Sequence, residues 1–227
     1  MKTKMVLGLV ILLAVIPTSF CRAETGSLGI RGEYVSWKEK DLFPEEKKAS
    51  GMMYGPTFLF RFGSRDAWSV EATGLYGEFE ELSRANVDLK ITYNVSNLFG
   101  IFADFKYLWY EYDGTEDADL GDKVNTSGFG GGLGVDFETP IGDSPIFVFA
   151  NAKVMPMWLD LDVEDADDNA FLWSYEAGLA WAYDFRMDVN KFNVYLAAGF
   201  RQQQMRGDDI DESISAPFAE FGFKQEF

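Results

Sequence analysis

Histidine is absent from all 227 residues, and that removes the commonest general base from any chemistry the chain performs. The one cysteine, Cys21, lies in the first apolar stretch, so thiol chemistry has no other candidate. Carboxylate remains in abundance: 37 Asp and Glu against 20 Lys and Arg give a net charge of −17. Such a balance makes nucleic acid an improbable partner, since its phosphates need cations. A carboxylate-only mechanism of the glycoside-hydrolysis kind needs two acids held at a set separation, and no pair among the 37 stands out by spacing.

Three stretches concentrate the acids. Asp113, Glu116, Asp117, Asp119 and Asp122 form the first; Asp160, Asp162, Glu164, Asp165, Asp167 and Asp168 the second; Asp208, Asp209, Asp211 and Glu212 the third. Oxygen clusters of this kind suit divalent cations, Ca²⁺ or Mg²⁺. The run Asp160-x-Asp162-x-Glu164 has the opening spacing of a calcium loop, but the sixth position, which needs glycine, is Asp165. Solvation of exposed loops explains the same residues without a ligand. The sequence therefore assigns no catalytic residue, no cofactor and no metal ligand.

The elements that would position these loops begin after an export signal. Lys2 and Lys4 precede an apolar run from Met5 to Ile16, followed by Pro17 and a small-x-small site at Cys21 and Ala23. The run is shorter than the roughly 20 residues of a membrane helix. Residues 1–23 are read as a signal peptide and 24–227 as the exported domain. Acylation at Cys21 is the alternative, and the bulky Phe20 before it speaks against that. Cleavage after Ala23 removes Lys2, Lys4 and Arg22 and no acid, which lowers the net charge by three, to −20. It also removes the cysteine, so the exported domain would be held without disulfides.

Beyond residue 27 hydrophobicity repeats with period two. Val87, Leu89, Ile91, Tyr93 and Val95 alternate with Asp88, Lys90, Thr92 and Asn94, and Phe129, Leu133, Val135 and Phe137 alternate with Gly130, Gly134, Asp136 and Glu138. Runs of this kind fall near 28–38, 52–63, 67–79, 85–95, 98–112, 127–139, 145–159, 170–184, 191–205 and 213–227. Each is long enough for the tilted crossing of a bilayer by a strand, about 9–11 residues. Long connections at 39–51, 80–84, 113–126, 160–169 and 206–212 alternate with tighter ones near 63–66, 96–97, 139–144 and 186–190. A soluble sandwich or lipocalin-like barrel would also alternate, with its apolar face inward. The opposite face here mixes Arg31, Glu33, Lys90, Asp104, Lys153 and Glu176 with glycine, which suits a narrow lumen closed by ion pairs. Trp68, Tyr93, Trp181 and Tyr183 gather toward one set of strand ends, and Tyr34, Tyr54, Tyr76, Trp109 and Trp173 toward the other, as two interfacial girdles. The expected fold is all-β: a transmembrane antiparallel up-and-down barrel of about ten strands, eight being the alternative because Phe147 and Phe149 compete with Ile146 and Val148 for the lipid face. In this register Val135 faces lipid and Gly134 the lumen, so Arg at 135 should be costly and Ser at 134 mild.

The last run, from Phe218 to Phe227, resembles the closing strand of outer-membrane β-barrel proteins, which end in an aromatic residue preceded by alternate apolar positions. Phe227, Phe223, Phe221 and Ala219 match that pattern and Gln225 departs from it. The resemblance implies a Gram-negative outer-membrane location, with Phe221, Phe223 and Phe227 as an assembly signal for the barrel-assembly machinery. It also implies outer-membrane lipid and lipopolysaccharide as surroundings, and Lys38, Lys40, Lys47 and Lys48 could meet lipopolysaccharide phosphates. Barrels of this type that act as enzymes resemble hydrolases and acyltransferases with a histidine base, which this chain lacks. The functional expectation is a non-enzymatic, structural or interaction barrel with acidic extracellular loops. A small porin-like pore for ions or an apolar solute is the alternative, and a lipid- or envelope-modifying enzyme the third reading.

Overall fold

The computed structural model describes residues 25–226 except 42–45, 64–66, 80, 114–122, 162–165, 188–189 and 209. Ten strands follow one another: β1 (Thr25–Glu39), β2 (Lys47–Phe62), β3 (Trp68–Phe79), β4 (Leu82–Asn94), β5 (Phe99–Asp113), β6 (Lys123–Pro140), β7 (Ile146–Leu161), β8 (Ala166–Met187), β9 (Asn190–Arg206) and β10 (Asp211–Glu226). Every strand is antiparallel to its sequence neighbours. Pairing of β1 with β10, from Thr25↔Glu226 to Glu39↔Glu212, closes the barrel. The strand count is thus ten, and no free edge remains. Thr25 and Glu226 lie at one end, with the turns after β2, β4, β6 and β8; the other connections form the loop end.

The alternation places side chains as the sequence implies over the termini-side portion of the wall. Ile30, Phe105, Phe129 and Leu133 point outward and are 53–68% exposed to the surroundings. Arg31, Asp104, Lys106 and Arg201 point inward and are buried. Phe147 and Phe149 turn into the lumen, and Ile146 takes the outer face. Both aromatic girdles are present. Trp68 packs on Tyr93 (ring centroids 4.9 Å) and Trp181 stacks on Tyr183 (5.8 Å) at the termini end. Toward the other end Trp173 stacks on Tyr175, and Phe129 on Trp158 (5.5 Å) joins that belt.

Two expectations need correction. The stretches 80–84 and 39–51 both run into strand: β3 and β4 pair as far as Phe79↔Leu82, and β2 begins at Lys47. Lys48 is exposed on the outer face, whereas Glu39 and Arg84 point inward and are buried, so charge here does not mark departure from the sheet. Gly134 is also not a permissive site, because a Cβ there would collide with the Phe102 ring and the Ala152 carbonyl. The glycine is the hollow into which Phe102 packs, so Gly134→Ser should destabilise by about 1–3 kcal/mol through overpacking. Val135→Arg should lose about 2–4 kcal/mol if the outward face is in lipid. Urea titrations in lipid vesicles read both values, and an unperturbed Val135→Arg would mean that the outward face does not meet hydrocarbon.

Three prolines stand inside strands, where a missing N–H breaks a ladder. Pro56, Pro156 and Pro217 each keep one paired neighbour, Ile30, Phe171 and Phe200 respectively. On the opposite side the ladder skips at each. The Pro217 gap lies in the closing seam between β1 and β10.

Candidate functional site

Toward the loop end the polarity of the wall turns inside out. The period stays at two, but the inward residues become apolar and the outward ones polar. On β1, Val35 and Trp37 point in while Ser36 and Lys38 point out; on β10, Ile214 and Ala216 point in while Ser213 and Ser215 point out. The inward set fills the lumen: Val35, Trp37, Leu108, Tyr110, Met155 and Leu172 are all 0% exposed. Leu82, Leu159, Leu161, Met157, Met205 and Ile210 continue the same cluster. Trp37 makes an edge contact with Tyr110 (5.8 Å) and stacks on Tyr112 (5.9 Å). This part of the barrel is packed like the core of a soluble protein.

One ion pair is embedded in that plug. Arg84 on β4 donates two hydrogen bonds to Glu212 on β10, at 2.7 and 3.0 Å, and Trp37 Nε1 donates a third at 3.0 Å. Both charged side chains are almost wholly buried (0% and 1%). Glu212 belongs to the third acidic run of the sequence, yet it is a strand residue in the core, and its partner lies 128 positions away. Glu39 at the top of β1 accepts backbone N–H bonds from Lys40, Asp41 and Asp211, tying the β1 end to the β9–β10 connection.

Below the plug the lumen is charged. Lys106 and Lys153 both bind Asp88 at 2.9 Å, and Lys153 also meets Asp104. Arg31 bridges Glu33 (2.8 Å), Glu176 (2.5 Å) and Glu220 (3.9 Å), with Arg201 as a second partner of Glu33. Lys90 lies 2.8 Å from Glu71 and 3.4 Å from Asp136. Charges this deep need partners on every side, because each unpaired one costs several kcal/mol. Among them a cavity of about 1100 Å³ opens and extends to the termini-end turn at Ser96–Phe99 and to Pro145. Its walls alternate these charged groups with Phe58, Phe102, Phe147, Phe149 and Tyr195.

The sequence-singled residues distribute unevenly over this arrangement. Phe221 and Phe223 point outward, 42% and 52% exposed, with rings edge to face at 5.1 Å; Phe227 lies outside the described residues. Most of the acids of the first two loops and Asp209 also lie outside them, and Asp160 and Asp211 are strand residues. Among the described residues no three His, Cys, Asp or Glu side chains gather as a metal site. Lys48 is paired with Glu46 at 2.5 Å at the exposed surface and, by hydrogen bonding, holds its carboxyl below the ordinary range. Lys47 lies over the Tyr112 ring at 5.8 Å. The plug and its Arg84–Glu212 pair escaped the sequence reading; their signal was the change of phase in Val35-Ser36-Trp37-Lys38 and Ser213-Ile214-Ser215-Ala216.

No family model matches the chain, and no curated protein matches it in sequence. Among solved structures it is similar to the outer membrane protease OmpT from Escherichia coli, with 9% identity, a TM-score of 0.50, and coverage of 92% of this chain and 100% of that one. It also aligns with Neisserial surface protein A (11% identity, TM-score 0.44, 88% and 99% covered). The translocator domain of the autotransporter NalP from Neisseria meningitidis aligns as well (9%, 0.45, 100% and 98%). The fold is that of an outer-membrane β-barrel. At these identities the likeness extends to architecture alone.

Proposed function

We propose that the chain is a closed, non-enzymatic barrel of the Gram-negative outer membrane, with a structural or interaction role. Its termini face the periplasm and its loop end the exterior, as is general for such barrels. The apolar plug carries this reading: an aqueous pathway cannot run through side chains with no exposed surface. An enzyme of the histidine-dependent type is excluded by composition. Outer-membrane lipid and lipopolysaccharide surround the belt, and the loop-end acids meet divalent cations through screening rather than through a built site.

Proteoliposomes carrying the purified barrel should swell in arabinose no faster than protein-free vesicles; faster swelling would favour a pore. Cell fractionation with gel mobility before and after boiling tests the location, because folded barrels migrate differently from heated ones, and recovery in the soluble periplasm would defeat it.

We further propose that Phe221, Phe223 and Phe227 form the signal read by the barrel-assembly machinery. Until β1 meets β10 both edges are open, and an assembly protein can add its own strand there, with affinity from the main chain and specificity from alternate side chains. Changing the three to Ala should lower outer-membrane yield several-fold while leaving unaided refolding in detergent intact. Normal yield in cells would refute the signal.

A further inference from the structure

The charged part of the lumen is not balanced among its described side chains. Lys90 serves two acids, Glu71 and Asp136. Arg31 and Arg201 together serve three, Glu33, Glu176 and Glu220. Only Lys106 and Lys153 match their acids, Asp88 and Asp104, in number. Arg61 and Glu138 at the cavity rim add one charge of each sign. Glu220 in particular is held chiefly by neutral donors, the hydroxyls of Thr57 (3.0 Å) and Tyr195 (2.6 Å), with the Arg31 guanidinium only at 3.9 Å. A second observation is independent of this count: Oδ1 of Asp104, on a side chain 2% exposed that lines the cavity, has no hydrogen-bond partner.

The other component of the wall is aromatic. Lys90 Nζ sits 5.3 Å from the Phe102 ring centroid and the Arg31 guanidinium 3.8 Å from that of Phe218, with Phe149 beside Phe218 at 6.1 Å. Ring faces are therefore turned to the lumen and already carry cations. Excess carboxylate with ring faces is the chemistry that recognises an organic ammonium ion. An anion would add to the charge imbalance, and a neutral sugar would leave it uncorrected.

We propose that this cavity binds an organic cation, an amine that enters from the termini end and places its ammonium group among Glu71, Asp136 and Glu220. The three acids stand on separate walls, β3, β6 and β10, so a flexible polyamine can reach more than one of them. The plug forms the blind end of the site, so the proposal rests on the closed-barrel reading and gives that barrel a ligand on its periplasmic side.

The test is isothermal titration of the refolded full chain in detergent with spermidine, against NaCl and MgCl₂ of equal ionic strength. Saturable binding of spermidine alone is expected. Glu220→Gln, and Glu71→Gln with Asp136→Asn, should each weaken it by about tenfold or more, a change of roughly 1.4 kcal/mol per decade. Glu78→Gln on the outer wall should leave it unchanged. Folding of each variant is checked by heat-dependent gel mobility; if the double variant fails to fold, Glu220→Gln decides alone. An equal response to MgCl₂, or native affinity in folded Glu220→Gln, would overturn the proposal. Neither outcome touches the closed-barrel reading, which is read by solute passage and not by amine binding.

Discussion

Removing either partner of the Arg84–Glu212 pair alone, as Arg84→Ala or Glu212→Ala, should lower stability by about 3–5 kcal/mol, because the remaining charge is stranded in an apolar interior. Arg84→Met combined with Glu212→Leu should be close to neutral or stabilising, since no charge then has to leave water. The double variant does leave Trp37 Nε1 without its acceptor, a loss on the order of 1 kcal/mol. Urea midpoints in lipid vesicles, followed by tryptophan fluorescence, separate the cases. Single and double variants with equal losses would mean that the pair sits in water and that the plug is not dry.

Trp37→Ala should cost about 3–5 kcal/mol, the range for deleting a large aromatic ring from a packed core. The ring has no exposed surface and touches Tyr110 and Tyr112. Trp181→Ala, on the outer wall of the termini-end girdle, should cost less, because in the proposed membrane setting lipid would fill the space that the ring leaves. The comparison discriminates a packed lumen from a wet one. In an aqueous channel water would fill the gap and the two losses would converge.

How much of this was legible in the residue order follows from what period-two alternation encodes. Val87 to Val95 against Asp88 to Asn94 fixed which residues share a face, and ten such runs gave the strand count. Alternation alone does not say what each face touches. In the proposed membrane setting lipid lies outside near the termini end, with the polar face inside, and water lies outside near the loop end, where Ile214 and Ala216 turn inward and Ser213 and Ser215 outward. A single assumption of one apolar outer face therefore failed where the surroundings changed. The charged stretch at 80–84 follows the same reversal, since Leu82 and Arg84 are inward core positions on β4. The Arg84–Glu212 pair was illegible for another reason: it joins β4 to β10 across the lumen, and nothing local to either residue marks the other. Phe147 and Phe149 were ambiguous because both faces of β7 carry large apolar groups there, and the lumen accepts them beside the small Ala180 and Gly178 of β8.

The proposed closure of the lumen by the plug around Trp37, Tyr110 and Met155 is read directly by single-channel recording in a planar bilayer. The native barrel should insert without conductance steps, and Trp37→Ala combined with Met155→Ala, if still folded, should give brief, irregular openings. Stable, reproducible steps from the native protein would contradict the closed lumen.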